Sequence, residues 1–120
     1  MIGPIGIYEE GKIIELQPGI HKVKILGSWL VQLYGFKVIL KEVKGDKVIE
    51  WRRNVMGSND YAYGKKAKNV AVLDIERWTK YSIHFENPHH VKVVILGPFF
   101  LGAIFNKKIP NREIKIAIGY

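Results

Sequence analysis

Alternation of apolar and polar residues, cut into short runs by turn residues, is the feature that most limits what this chain can become. In Tyr81-Ser82-Ile83-His84-Phe85-Glu86 every second residue is apolar, and the run from Arg112 to Ile118 places Ile114, Ile116 and Ile118 on one face. Phe36, Val38 and Leu40 share a face opposite Lys37 and Lys41, while Val23 and Ile25 oppose Lys22 and Lys24. Val91-Lys92-Val93 repeats the pattern before a fully apolar stretch. A period of two is the repeat of an extended strand with one face on a core and one in water, the mark of antiparallel sheets.

Turn chemistry separates these runs. Glu9-Glu10-Gly11-Lys12 and Lys44-Gly45-Asp46 read as compact hairpin turns, and Gln17-Pro18-Gly19 reads as a type II turn. Asn87-Pro88-His89-His90 joins two strands; Gly97-Pro98 and the stretch from Asn106 to Asn111 punctuate the C-terminal third. Ser28 to Gly35 has a helix cap before it and a glycine stop after it, but it also alternates, with Trp29, Val31 and Leu33 together. Seven residues make a marginal helix, so this segment is read as strand. The spacing predicts about eight or nine short strands in an all-β fold, an antiparallel β-sandwich or jelly roll, with a small β-barrel as the alternative. No repeat, low-complexity tract or linker interrupts the chain, and residues 1–120 are read as a single β-sandwich domain.

Composition removes several functions. The chain has no cysteine, which excludes disulfides, thiolate zinc sites and cysteine nucleophiles. The start MIGPIGIYEEGK is not basic and acids arrive by Glu9, so no signal peptide is read. The longest uncharged apolar run, Val93 to Phe105, has thirteen residues broken by Gly97, Pro98 and Gly102, too short to cross a bilayer as a helix. The expectation is a soluble, cytoplasmic or otherwise intracellular protein without a transmembrane segment. Net charge is +8, from 15 lysines and 4 arginines against 11 acids. Lysine-rich, glutamine-poor, cysteine-free composition is the direction in which thermophile proteins drift. The basic balance favours a polyanionic partner, nucleic acid above all, and lysine supplies diffuse charge rather than geometric recognition.

Half of that net charge falls in Trp51 to Asn69, WRRNVMGSNDYAYGKKAKN, where five bases meet only Asp60. Arg52, Arg53, Lys65, Lys66 and Lys68 are suited to phosphates, and Tyr61 and Tyr63 to stacking on unpaired bases. The plainer reading continues a strand through Val48 to Arg53, with Ile49 and Trp51 inward, and leaves a solvated loop of about 14 residues, long enough to favour a function. No RNA-recognition octamer, helix-turn-helix or zinc finger accompanies it.

Other candidates are thinner. His84, Glu86, His89 and His90 cluster in HFENPHH without the spacing of a standard metal site, so no metal or other cofactor is expected. Ser28, Ser58, Ser82 and Thr79 sit in no nucleophile elbow and have no evident base and orienter in sequence, and no glycine-rich phosphate loop is present. Asp74 and Glu86 are a carboxylate pair that could converge in space, which sequence spacing alone does not show. The protein is therefore read as non-enzymatic, a basic interaction module contacting an anionic polymer such as nucleic acid with low sequence specificity. The main alternative is a structural or assembly subunit, a homo-oligomer or coat-like protein, joined through Phe99, Phe100, Leu101, Ile104 and Phe105. A carbohydrate-binding sandwich module using Trp29, Trp51 and Trp78 is a third reading.

Overall fold

The computed structural model describes the backbone of residues 1–53, 57–100 and 103–120, and the side chains of these apart from positions 96–100 and 103–106. In chain order the strands are β1 (Ile2–Gly6), β2 (Ile13–Leu16), β3 (Gly19–Leu26), β4 (Leu30–Gln32), β5 (Lys37–Glu42), β6 (Val48–Glu50), β7 (Arg52–Arg53), β8 (Asn59–Ala62), β9 (Lys65–Ile75), β10 (Thr79–Glu86), β11 (Lys92–Phe100), β12 (Ala103–Lys108) and β13 (Lys115–Gly119). Single 3₁₀ turns occupy Pro88–His90 and Asn111–Glu113. Among the described residues no helix is long and apolar enough to cross a membrane.

The strands form three antiparallel sheets. The first runs β1-β13-β3-β9-β7, with β8 also paired to β9; the second runs β2-β10-β5-β6; the third runs β12-β11-β4. The antiparallel all-β sandwich expected from the alternation is present, but with more strands than the eight or nine expected. The surplus has a simple origin: chain runs that look continuous in sequence change sheet partway. Val48 to Arg53 is one alternating run, yet β6 belongs to the second sheet and β7 to the first, with Trp51 at the switch. Ile49 and Trp51 are both buried, as the alternation requires.

Turn assignments divide the same way. Lys44-Gly45-Asp46 closes the β5–β6 hairpin, where Glu42 N–H donates to the Lys47 carbonyl at 3.0 Å. Glu9 to Lys12 is not a hairpin turn, because β1 and β2 lie in different sheets. Its Gly11 and Lys12 instead pair with Ile83 through backbone bonds of 2.8 Å each, which seats the crossing on β10. Gln17-Pro18 likewise carries the chain between sheets into Gly19, whose φ of 134° suits glycine. The Ser28–Gly35 segment is strand only over β4 and then turns through Tyr34 and Gly35, both at positive φ.

The first two sheets face each other across a single core. Val23, Ile25, Leu73, Ile116 and Ile118 approach from one side, and Leu16, Val38, Leu40, Tyr81 and Ile83 from the other. Phe36 meets Trp51 edge-on at 5.5 Å and stacks on Phe85 at 6.1 Å, an aromatic cluster that seals the sheet switch. Val91 and Val93 extend the core into the third sheet. One expectation fails: Lys24, read as a solvated partner of Lys22, is only 2% exposed.

Ile83 lies on the central strand β10 with no exposed surface. Ile83→Ala is expected to cost about 2–5 kcal/mol of unfolding free energy, read from the midpoint of chemical denaturation. A loss under about 1 kcal/mol would contradict this packing.

Candidate nucleic-acid interface

The Trp51–Asn69 segment is not a long loop. Asn59↔Lys68, Asp60↔Ala67, Tyr61↔Lys66 and Ala62↔Lys65 pair in register, so β8 and the start of β9 form a hairpin closed by Tyr63 and Gly64. Tyr63 has φ 52° and Gly64 φ 72°. Two consecutive positive φ angles are what a two-residue type I′ connection requires, because its twist matches that of the strands. A Cβ on Gly64 would meet nothing within 4 Å, so conformation and not space calls for glycine there. Tyr-Gly between two four-residue extended runs was the readable signal for this hairpin.

Directly opposed residues of an antiparallel pair share a face. Tyr61, Lys66, Asn59 and Lys68 therefore lie on one side of the hairpin, and Asp60, Ala62, Lys65 and Ala67 on the other. The first side is completed by Trp29, whose ring meets Tyr61 edge-on at 5.4 Å and lies under Lys66 Nζ at 4.7 Å. Trp29 Nε1 donates to the Asp60 carbonyl at 2.9 Å, which fixes the indole. With that face of Trp29 taken by an ammonium, Tyr61, 62% exposed, is the ring open to a partner. Beside Trp29 lies a depression of about 340 Å³ lined also by Gly27, Ser28, Asn59, Lys66 and Lys68.

The opposite side is held by a buried cation. Lys24 Nζ donates to Asp60 Oδ2 and to Asn69 Oδ1, each at 2.6 Å. Asn69 Nδ2 in turn donates to Ser58 Oγ at 2.8 Å, and Tyr61 N–H donates to Asp60 Oδ1 at 2.8 Å. Lys24 sits beside a β-bulge between β3 and β9 and next to a small apolar cluster of Leu26, Ala62, Ala67 and Ala117. A buried ammonium without such partners would be strongly unfavourable. The Lys24 hydrogen bond, helped by the Tyr61 N–H and Asn69, holds the Asp60 carboxyl down to about 2, below its usual 3.8. The consequence for surface charge is direct. Asp60, the one acid of this segment, is spent on Lys24, and among the described residues no carboxylate lies within 4 Å of Lys65, Lys66 or Lys68. Lys68 Nζ donates instead to the neutral Asn59 side chain at 2.8 Å.

Not all the expected contacts gather here. Arg52 and Arg53 pair with Val72 and Ala71, five or more residues along β9 from Lys66. At about 3.3 Å per residue they stand about 16 Å or more along the strand from Lys66 and about 10 Å or more from Lys68. Arg52 is also engaged by Asp74 at 3.4 Å. Lys65, exposed, faces away from Lys66 and Lys68, and Tyr63 sits at the turn, 46% exposed. Of the apolar candidates, Phe99 and Phe100 lie on β11 opposite Ile104 and Ala103 of β12, with Phe105 next in line; Leu101 lies outside the described residues. Of the tryptophans considered for sugar stacking, Trp51 is in the core and Trp78 is 63% exposed with Nε1 donating to Glu15 at 3.2 Å.

The histidine cluster divides: His89 and His90 meet edge-on at 4.1 Å, while His84 and Glu86 take other partners. Glu86 pairs with Lys37 at 3.4 Å, and His90 Nδ1 lies 3.0 Å from the Tyr34 carbonyl. His84 Nδ1 is 2.6 Å from Glu10 Oε1 and its Nε2 is 2.9 Å from Ser82 Oγ. The expectation that no serine has a base and an orienter is thus corrected: Ser82, His84 and Glu10 form that chain, and Glu10 arrives from the β1–β2 crossing, which sequence distance hides. Glu10 Oε2 also accepts from the Phe85 N–H at 3.1 Å, and the Ile83 N–H donates to the Lys12 carbonyl at 2.8 Å, so the β1–β2 crossing is seated on β10 through the same residues.

The pH dependence of the Lys24 network follows from its direction. Because the Asp60 carboxyl titrates at about 2 when folded and near 3.8 when free, its stabilisation is complete above the free value and is lost as pH falls through about 2. Asp60→Asn is expected to lower the denaturation midpoint at pH 6, and the gap to the parent is expected to close on titration toward pH about 2; a gap that stays constant would contradict the pairing. Comparison of the chain with protein-family models, with curated protein sequences and with solved structures finds no match, so the roles of these residues rest on their chemistry and geometry.

Proposed function

We propose that the protein is a non-enzymatic interaction module whose β8–β9 hairpin contacts an anionic polymer, single-stranded nucleic acid of no particular sequence. The observation that carries the reading is the Trp29–Tyr61–Lys66–Lys68 face: two lysines with no carboxylate within ion-pair distance among the described residues, beside an exposed tyrosine ring braced on a fixed indole. Lysines release counterions from phosphates, and a tyrosine face accepts any base. Among the described residues this face carries no arginine fork, and the oxygen of its Asn59 amide already accepts from Lys68, which is consistent with low specificity.

A second reading is supported by shape. The Cα radius of gyration is 15.0 Å and the principal extents are 57 × 24 × 24 Å, whereas a compact chain of this length has a radius of about 14 Å. β11 pairs with β4 only over Lys92 to Val94, and the β11–β12 ribbon carrying Phe99, Phe100, Ile104 and Phe105 continues beyond it. In this reading the ribbon joins copies of the chain into an assembly. Sedimentation velocity at micromolar concentration checks it: a species heavier than one chain supports assembly, and a monomer opposes it.

For the leading reading, Tyr61→Ala is expected to cost about 1–3 kcal/mol in the affinity for labelled single strands measured by fluorescence anisotropy. Lys66→Ala with Lys68→Ala is expected to weaken all sequences alike and to reduce the salt slope by about 0.7 per lost phosphate contact. Unchanged affinity in both variants would contradict the assignment.

A further inference from the structure

The far side of the hairpin carries a second basic surface that lies outside the 51–69 segment and whose parts are distant in sequence. Lys65 of the hairpin, Lys107 of β12, Arg112 of the second 3₁₀ turn and Lys115 of β13 line one open groove of about 520 Å³ together with Gly27 and Ile95. Glu113 is the one carboxylate lining it. Among the described residues none of these four bases has a carboxylate within 4 Å, and the undescribed residues include no acid that could supply one. Chain folding therefore brings four unneutralised cations to one place, and it does so with partly fixed side chains. Arg112 lies over the Tyr8 ring at 5.4 Å, and Tyr8 is hydrogen-bonded to Asn111, which donates to the Pro88 and Val91 carbonyls at 2.8 and 3.1 Å. Lys107 is set by its register opposite Ile95 on the β11–β12 ribbon.

This groove and the Trp29 depression both include Gly27 and Ile95, so they meet at a common saddle. Gly27 holds φ 112°, and a Cβ there would come within 2.4 Å of the Ile109 side chain, which keeps the saddle low. The two sides differ in chemistry: the Trp29 side has an indole and two lysines, while the groove has charges and, among the described residues, no aromatic lining. Dispersed cations without a stacking face suit a phosphodiester backbone better than a base or a free nucleotide.

We infer that the groove of Lys65, Lys107, Arg112 and Lys115 is a phosphate track for a single-stranded nucleic acid that crosses the Gly27–Ile95 saddle and places its bases against Tyr61. The inference rests on the reading of the hairpin as a nucleic-acid contact and deepens it. It makes the strand pass over both sides of β8–β9, so a ligand confined to the hairpin face binds less tightly than one long enough to reach the groove.

The test compares three proteins by anisotropy of a fluorescein-labelled oligothymidylate of about 16 nucleotides, the upper end of single-strand site sizes, at two salt concentrations. They are the parent, the groove variant Lys107→Ala/Arg112→Ala/Lys115→Ala, and a control, Lys41→Ala/Lys44→Ala/Lys80→Ala, which removes the same charge from exposed positions elsewhere. All replaced side chains are exposed, and circular dichroism checks that each variant folds. The expected result is a loss of affinity of about tenfold or more in the groove variant with a salt slope smaller by about 2, and a far smaller change in the control. Equal losses in groove and control variants would overturn the phosphate track while leaving the hairpin reading intact. No binding by the parent at low salt, or binding only to vesicles of anionic lipid, would overturn both.

Discussion

The bond of Lys24 to Asp60 and Asn69 is the interaction on which the rest of this surface depends. Among the described residues β8, four residues long, pairs only with β9, so one row of its backbone groups has no ladder partner to hold it in place. Here the anchor is an ammonium 2% exposed, bonded at 2.6 Å to a carboxylate of β8 and to an amide of β9. A buried pair of this kind contributes little net stability over an apolar substitute, but breaking it leaves an uncompensated charge. Its effect is specificity of position: Asp60 can sit in one place, and the Asp60 carbonyl then fixes Trp29.

The same bond determines the electrostatics outside. Had Asp60 been free, it would have answered one of the hairpin lysines. Because it is turned inward to Lys24, Lys65, Lys66 and Lys68 stay unneutralised on two faces of one ribbon. Elsewhere the acids are used locally, with Lys37 bridging Glu50 and Glu86, and Lys47 meeting Glu76 at 2.5 Å. The pairing raises the affinity of Lys37 for its proton chiefly through the Glu50 hydrogen bond, and likewise that of Lys47 through Glu76. The second sheet is thus a balanced surface, and the stem of the two hairpins is a cationic one. Lys41 and Lys80 of the second sheet have no carboxylate within 4 Å among the described residues, so the contrast lies in the company of acids along that sheet and not in every lysine being paired.

Much of the fold was legible because alternation is a local property. Ile114, Ile116 and Ile118, or Tyr81, Ile83 and Phe85, announce their buried face from two-residue spacing alone, and all six are buried. Sheet membership was not legible, because a run such as Val48–Arg53 keeps its alternation while passing from one sheet to another at Trp51. The site was half legible. Lys65, Lys66, Lys68 and the two tyrosines stand out by charge and aromatic content, whereas Tyr63-Gly64 lacks the Asn-Gly or Asp-Gly pair that marks a type I′ turn most strongly, so the hairpin reads as a loop. Arg52 and Arg53 were grouped with them by sequence proximity, which the long reach of β9 undoes. Lys107, Arg112 and Lys115 join the hairpin only through tertiary folding, and Lys24 looked like any solvated lysine between Val23 and Ile25. A lone acid in a basic stretch was the available hint that Asp60 had a buried partner.

Native-state hydrogen exchange on the parent and on Asp60→Asn tests most directly whether the Lys24 network pins the hairpin. The predicted result is selective loss of protection for the amides pairing β8 with β9, those of residues 59–68, while the β5–β10 ladder keeps its protection. Unchanged protection across the hairpin, or an equal loss in every sheet, would contradict a hairpin held in place by one buried cation.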